Sequence, residues 1–104
     1  MPESMRYEDF LARRASDCSL RCSAGDAAEQ AFPAVLAEVG ERGQRQGYEH
    51  FSLLFHAETA ATPQQGSYAV TFADGVCWEI FLVPVAREGA RVVYEAVFNR
   101  TIAA

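Results

Sequence analysis

The second half of the chain constrains the fold most, because residues 67–99 read as three consecutive apolar strands joined by short turns. Asp74-Gly75 separates the first two apolar runs, and Asp-Gly in that position is a strong short-range signal for a β-hairpin. A second turn, within residues 87–90, separates the second run from the third. Strands joined by such short turns are antiparallel, so this half of the chain predicts an antiparallel sheet.

Both faces of these three strands are apolar. We expect Asp74 and Gly75 to be the two central residues of the first turn, and the resulting register separates the apolar residues into two faces. An antiparallel sheet in a small domain usually leaves one face in water. The second face therefore needs a cover, which the N-terminal helix, a second sheet or another chain would supply, and the pattern leaves open which face is the core. One face carries Tyr68, Val70, Phe72, Phe81 and Val83, the other Trp78, Ile80 and Leu82, and the expected cross-strand pairs are Phe72 with Cys77, Val70 with Glu79, Tyr68 with Phe81, Thr71 with Trp78 and Ala69 with Ile80.

The N-terminus predicts one short helix within residues 1–14. Ser4 is a suitable N-cap for it, and acidic residues follow near the positive end of the helix dipole. Tyr7, Phe10 and Leu11 are spaced at i, i+3 and i+4, which gives the helix one apolar stripe. We expect this stripe to pack on the body of the domain.

Further strands are predicted between that helix and the hairpins. Alternating apolar residues predict strands at residues 18–22 and 50–56. Residues 32–42 fit either a helix or a strand, and we favour a strand because the chain that follows is β. Residues 40–47, which contain three glycines, predict a polar loop.

These elements predict a mainly β fold. At 104 residues the chain is long enough for one core, so we expect a single domain over residues 1–104. Its β-structure, over residues 16–99, would form a small antiparallel β-barrel or sandwich of about six strands, with the short N-terminal helix against it.

Composition excludes several functional classes. The net charge of −5 is spread along the chain without runs, whereas a nucleic-acid surface needs clustered positive charge. No apolar run approaches the roughly 20 residues that span a bilayer, and the N-terminus lacks the apolar core of a signal peptide. Three cysteines, an odd number, suit a reducing compartment. We therefore expect a cytoplasmic protein that binds neither nucleic acid nor membranes.

The histidines and cysteines do not have the spacing of a catalytic or metal site. His50 and His56 lie six residues apart on one predicted strand, about 20 Å, and so cannot share one metal ion. Cys18 and Cys22, on another strand, would be roughly 13 Å apart, too far for one disulfide. We expect the cysteines to be small apolar residues.

Two glutamates are better candidates for chemistry, because Glu79 and Glu95 each interrupt an apolar strand. Inside a barrel, two carboxylates would be a possible general acid and base. With Tyr68 and Tyr94 they define an alternative ligand site. Pairing with arginines across the strands would instead make them structural.

Four segments occur in the sequence in this order: FSLLF at residues 51–55, PQQGSY at 63–68, FLVPV at 81–85 and YEAVFNR at 94–100. Together they resemble a family of small uncharacterised bacterial domains of unknown function. The resemblance covers about half of the chain and rests on core and turn patterns, so it implies no catalytic residue. It implies a place beside phage-tail-like collar fibre proteins, with which members of that family are often associated.

Two functions are consistent with these observations. The first is a non-enzymatic protein-interaction or assembly module, accessory to a phage-tail-like or fibre-like structure, that binds a partner protein or a second copy of itself without a cofactor. The second is a small-ligand-binding β-barrel or small enzyme that uses Glu79 and Glu95. The lack of a convergent polar set favours the first. Its predicted contact residues are Trp78, Ile80 and Leu82, with Tyr48, Gln64 and Gln65 at the rim.

Overall fold

Seven strands and one short helix make up the structure, a computed structural model that describes residues 6–22, 31–59 and 63–101. Among the described residues, the helix is the first element and only strands follow it. The elements are α1 (Tyr7–Leu11), β1 (Asp17–Cys22), β2 (Ala31–Val39), β3 (Gly43–Arg45), β4 (Tyr48–Glu58), β5 (Gly66–Phe72), β6 (Cys77–Glu88) and β7 (Arg91–Thr101).

Six of the strands close into an antiparallel barrel. Around the barrel the order is β1, β5, β6, β7, β4 and β2, and β2 pairs again with β1. Within the part of the chain that the structure describes, β3 pairs only with the start of β4 and extends the sheet there. The predicted fold, a small antiparallel barrel of six strands with a short N-terminal helix, is confirmed. The barrel form rather than the sandwich is the one adopted.

The inside of the barrel is filled by apolar side chains. Along β4, residues 51, 53, 55 and 57 are buried and alternate with more exposed residues, and the same period of two runs along β5 and β7. Every buried residue of the described chain is hydrophobic. Full burial of a leucine or phenylalanine contributes about 1.5–3 kcal/mol, so this core is the main source of stability.

The hairpin between β5 and β6 has a three-residue turn. The Phe72 N–H donates to the Val76 carbonyl at 2.8 Å, and the Gly75 N–H donates to the Phe72 carbonyl at 2.9 Å. Gly75 has φ +93°, the left-handed conformation that such a turn needs at its last position. The predicted two-residue turn at Asp74-Gly75 is therefore wrong, because Ala73 also belongs to the turn.

One extra turn residue changes every cross-strand pair of this hairpin. Val70 lies opposite Trp78 and Tyr68 lies opposite Ile80, one position from the predicted register. Since side chains alternate across a sheet, this shift moves a whole set of residues to the other face. As a result, apolar residues of β5 and β6 that were predicted to lie on opposite faces lie on the same face, which is the barrel interior. That shared set is Tyr68, Val70, Phe72, Trp78, Ile80 and Leu82.

The region between β1 and β4 bears out one expectation and corrects another. β2 covers Ala31–Val39, so the strand favoured for residues 32–42 is confirmed. The loop predicted for residues 40–47 is wrong in part, because β3 lies within it and pairs with Tyr48–His50 of β4. β3 has no apolar alternation, and it exists because β4 continues beyond the barrel and offers its backbone groups to it.

α1 covers one end of the barrel. It begins after Arg6, whose N–H donates to the Asp9 carboxylate at 3.1 Å, and the predicted cap Ser4 lies outside the described residues. Phe10 is fully buried among three rings of the barrel, those of Phe51, Trp78 and Phe98. The predicted packing of the helix on the domain is therefore confirmed.

Charged residues fix the helix and the turn after it to the barrel. Arg13 forms an ion pair with Asp74 at 2.9 Å and lies over the Trp78 ring, 5.2 Å from its centroid. On the other side, Arg42 bridges Glu8 and Glu49 at 3.2 and 3.7 Å. These pairs are partly exposed, so each contributes little alone. Together they set the position of the helix over the barrel end.

Candidate functional site

The barrel interior does not bring the alternative ligand residues together. Tyr68 and Tyr94 are buried inside, with ring centroids 5.4 Å apart, and the Tyr68 hydroxyl donates to the Gln64 carbonyl at 2.6 Å. Glu79 and Glu95 lie on strand positions that face outward, between buried neighbours on either side. Two of the four residues are therefore inside the barrel and two outside.

The predicted contact residues are also divided between core and surface. Trp78, Ile80 and Leu82 lie in the core of this chain, because the register differs by one residue from the predicted one. In this structure they do not form an exposed face. Tyr48 is exposed at the start of β4, whereas Gln64 and Gln65 are exposed just before β5. β4 and β5 are not neighbours in the barrel.

A different apolar surface lies on the outside of β6, β7 and β4. Phe81, Val85 and Val97 are 55%, 51% and 68% exposed, which is unusual for large apolar side chains of a small domain. Val83 and Leu54 are half-buried beside them, each directly opposite Glu95. We call this surface the outer patch. It consists of Leu54, Phe81, Val83, Val85, Val97 and Glu95.

The register explains why these residues share a surface. Leu54, Glu95 and Val83 form one row across β4, β7 and β6. Phe81 precedes Val83 by two residues and Val97 follows Glu95 by two, so alternation places both on the same outer face. The sequence signal for the patch was the pair of apolar residues Phe81 and Val83 on β6. The predicted two-residue turn had placed this pair on the same face as residues 68, 70 and 72 of β5.

The open strand edges are poorly suited to pairing with another chain. β5 pairs with β6 as far as Leu82, so residues 83–88 of β6 have a strand on one side only among residues 6–22, 31–59 and 63–101. Pro84 lacks an N–H there, and the register shifts between Pro84 and Ala86. Proline and a bulge at an edge prevent a regular ladder. β3, the other open edge, has only three residues.

A groove on the outside of β1, β2 and β4, which reaches β7 at Arg91, holds several polar groups. Its volume is about 570 Å³, it is open to solvent, and its polar lining includes Asp17, His56, Glu58 and Arg91. Val35 of β2 lies between Asp17 and His56, so the two are two strand spacings apart, roughly 10 Å. Among the described residues no hydrogen bond joins Asp17 to His56.

The titratable groups of the described chain do not form a metal or nucleophile site. No group of three histidine, cysteine or acidic residues within residues 6–22, 31–59 and 63–101 is placed to hold a metal ion. Burial, with a smaller effect of Asp17, raises the pKa of the Cys18 thiol to about 12, which leaves it protonated and unreactive at neutral pH. Cys77 is exposed, and its Sγ accepts a hydrogen bond from the Thr71 hydroxyl at 3.3 Å.

Comparison with known proteins gives a family but no activity. The family described as Domain of unknown function (DUF6916) matches residues 5–98. No curated protein and no solved structure matches the chain. Among the described residues, no helix has both the length and the apolar character needed to cross a membrane.

Proposed function

Since the chain belongs to the domain family of unknown function DUF6916, we propose its function from its surface: a non-enzymatic protein-interaction or assembly module. The module binds a partner protein through the outer patch. The observation that carries this proposal is that Phe81, Val85 and Val97 are each more than half exposed on one face of the barrel.

The distribution of apolar residues supports binding by this face. The buried core of the barrel is made of apolar side chains, and Phe81 and Val97 are additional to that set. An exposed aromatic ring with aliphatic neighbours is the usual centre of a protein interface. The open edges of β6 and β3 are blocked or short, so the face is a better docking surface than an edge.

The first partner to test is a phage-tail-like fibre protein, the kind of partner that the family resemblance implies. The experiment is light scattering of the purified chain mixed with that protein, repeated with Phe81→Ser. Tyr48→Ser is the matched control, because Tyr48 is also an aromatic residue on the outside of a strand and equally exposed, at 55%. We expect Phe81→Ser to weaken the complex at least about tenfold, as loss of an interface anchor does, and Tyr48→Ser to leave it unchanged.

Two results would contradict the proposal. Equal binding by wild type and Phe81→Ser would remove the outer patch from the interface. A stronger loss with Tyr48→Ser would move the interface to the start of β4 and β3. Circular dichroism of both variants establishes that the barrel is intact in each case.

A further inference from the structure

We infer that the outer patch takes a partner protein whose contact surface carries an arginine or lysine among apolar side chains, and not a second copy of this chain. This inference rests on the proposed function and adds the chemistry of the partner. It comes from the position of one carboxylate within the patch.

Glu95 lies at the centre of the outer patch. Its direct cross-strand neighbours are Val83 on β6 and Leu54 on β4, both aliphatic. On β7 its neighbours on the same face are Val93 and Val97, two residues away on either side. The carboxylate therefore has apolar side chains directly beside it on both neighbouring strands and along its own, with Ser52 and His56 diagonal to it on β4.

No described residue neutralises this carboxylate. Glu95 forms neither a hydrogen bond nor an ion pair within the described chain. Arg91, on the same face of β7, is four residues away, about 13 Å. His56 lies diagonally across from Glu95 on β4. Glu38 of β2 lies opposite Leu54, so it adds a second negative charge to the row of residues that contains Leu54 and Glu95.

Covering the patch removes water from Glu95. A carboxylate that loses its water must gain a cation or hydrogen-bond donors, because an unpaired buried charge is strongly unfavourable. A wholly apolar partner surface would leave Glu95 unpaired. A partner that brings a guanidinium or ammonium group to the centre of the patch satisfies the carboxylate and the apolar residues around it together.

The same argument weighs against a second copy of the chain. A two-fold axis through the patch brings the same surface of both copies together, since such interfaces are self-complementary. With the axis at the centre of the patch, Glu95 of one copy faces Glu95 of the other. The chain has 14 acidic and 9 basic residues, so its long-range field also repels a copy of itself and attracts a cationic partner.

Small probes test the charge preference without the natural partner. The probes are hexylguanidinium and its neutral analogue hexylurea, titrated into the labelled chain and followed by NMR at the amides of residues 54, 83, 95 and 97. We expect hexylguanidinium to bind about fivefold more tightly, as for one partly desolvated ion pair. This preference disappears in Glu95→Gln and persists in Glu58→Gln, an outward carboxylate of β4 outside the patch.

The outcomes separate the inference from the proposed function. Equal affinity for both probes at the patch overturns the cationic partner and leaves an apolar docking surface. No shift at the patch amides with either probe overturns both. Light scattering is the second measurement: a wild-type dimer that Val97→Asp returns to monomer would also overturn the inference, whereas a wild-type monomer is the expected result.

Discussion

The ring of Phe10 in α1 packs edge-on against Trp78 of β6, with ring centroids 4.9 Å apart. This contact lies where β6 and β7 are no longer paired, because their ladder ends at Val83 and Glu95. Phe98 of β7 touches the other side of Phe10, at 5.3 Å. The helix thus completes the core at the place where two strands diverge.

Phe10→Ala should destabilise the domain by about 3–5 kcal/mol, the usual cost of removing a buried aromatic ring. The measurement is the free energy of unfolding in urea, followed by Trp78 fluorescence. Leu11→Ala is the control, since Leu11 is adjacent in the helix but 43% exposed, and should cost less than about 0.5 kcal/mol. If Phe10→Ala lowered the free energy of unfolding as little as Leu11→Ala does, the helix would not cover the core.

Trp78→Ala should unfold the isolated domain or destabilise it by about 3–5 kcal/mol, because Trp78 is only 6% exposed and packs against Phe10 and Phe72. Phe81→Ala, three residues further along the same strand, changes an exposed ring and should have little effect on stability. Thermal unfolding of both variants decides the matter. A stable Trp78→Ala would mean that the ring lies on the surface, as its predicted role as a contact residue requires.

Acidification should weaken the ion pair between Arg13, in the turn after α1, and Asp74, in the β5–β6 turn. The Val76 N–H, which donates to Asp74 at 3.1 Å, and then the Arg13 guanidinium lower the pKa of Asp74 below its ordinary value of 3.8. The ionised group therefore stabilises the fold above that value, and the stabilisation is lost as the pH falls through the lower folded-state pKa.

Unfolding of wild type and Asp74→Ala, compared from neutral pH down to about pH 2, measures this effect. We expect the difference in stability between them to shrink at the acidic end. Asp74→Asn, which keeps an acceptor for the Val76 N–H, separates the hydrogen bond from the ion pair with Arg13. A difference that stays constant with pH would mean that the carboxylate charge has no role.

The thiols of Cys77 and Cys18 should differ greatly in reactivity. Cys77 is exposed, whereas burial raises the pKa of Cys18 to about 12 and shields its sulfur. Treatment of the native chain with iodoacetamide at mildly alkaline pH, read by mass spectrometry of peptides, should label Cys77 and leave Cys18 unmodified. In denaturant both should react at similar rates. Early labelling of Cys18 in the native state would place it outside the core.

The sequence predicted the β elements better than their pairing. Alternation in β4, β5 and β7 is direct evidence for strands with one buried face, and Phe10 had the spacing of a packed helix. The length of the turn at Asp74-Gly75 has no such signal, because Ala73 is compatible with either a strand end or a turn. Its assignment decided the face of every β6 side chain.

Whether Ala73 belongs to the turn also determines which residues form the exposed candidate site. With a two-residue turn, Trp78 lies on the face opposite to that of Val70 and Phe72. With three, it shares their face, so that Trp78 is core and Phe81 is surface. Glu95 was recognisable as a charge within an apolar strand. Its lack of a partner depends on which strands lie beside β7, and pairing of β7 with β4 as well as β6 is a property of the closed barrel that local sequence does not contain.

Barrel closure also has a consequence for how the chain folds. Leu20 of β1 pairs with Val70 of β5, and Phe51 of β4 pairs with Phe98 of β7, so strands from the first half take partners made much later in synthesis. Such long-range pairing slows folding. During translation, β1 and β4 each have one unpaired edge until β5 and β7 have been synthesised. The nascent first half of the chain is therefore the form of this protein most exposed to aggregation.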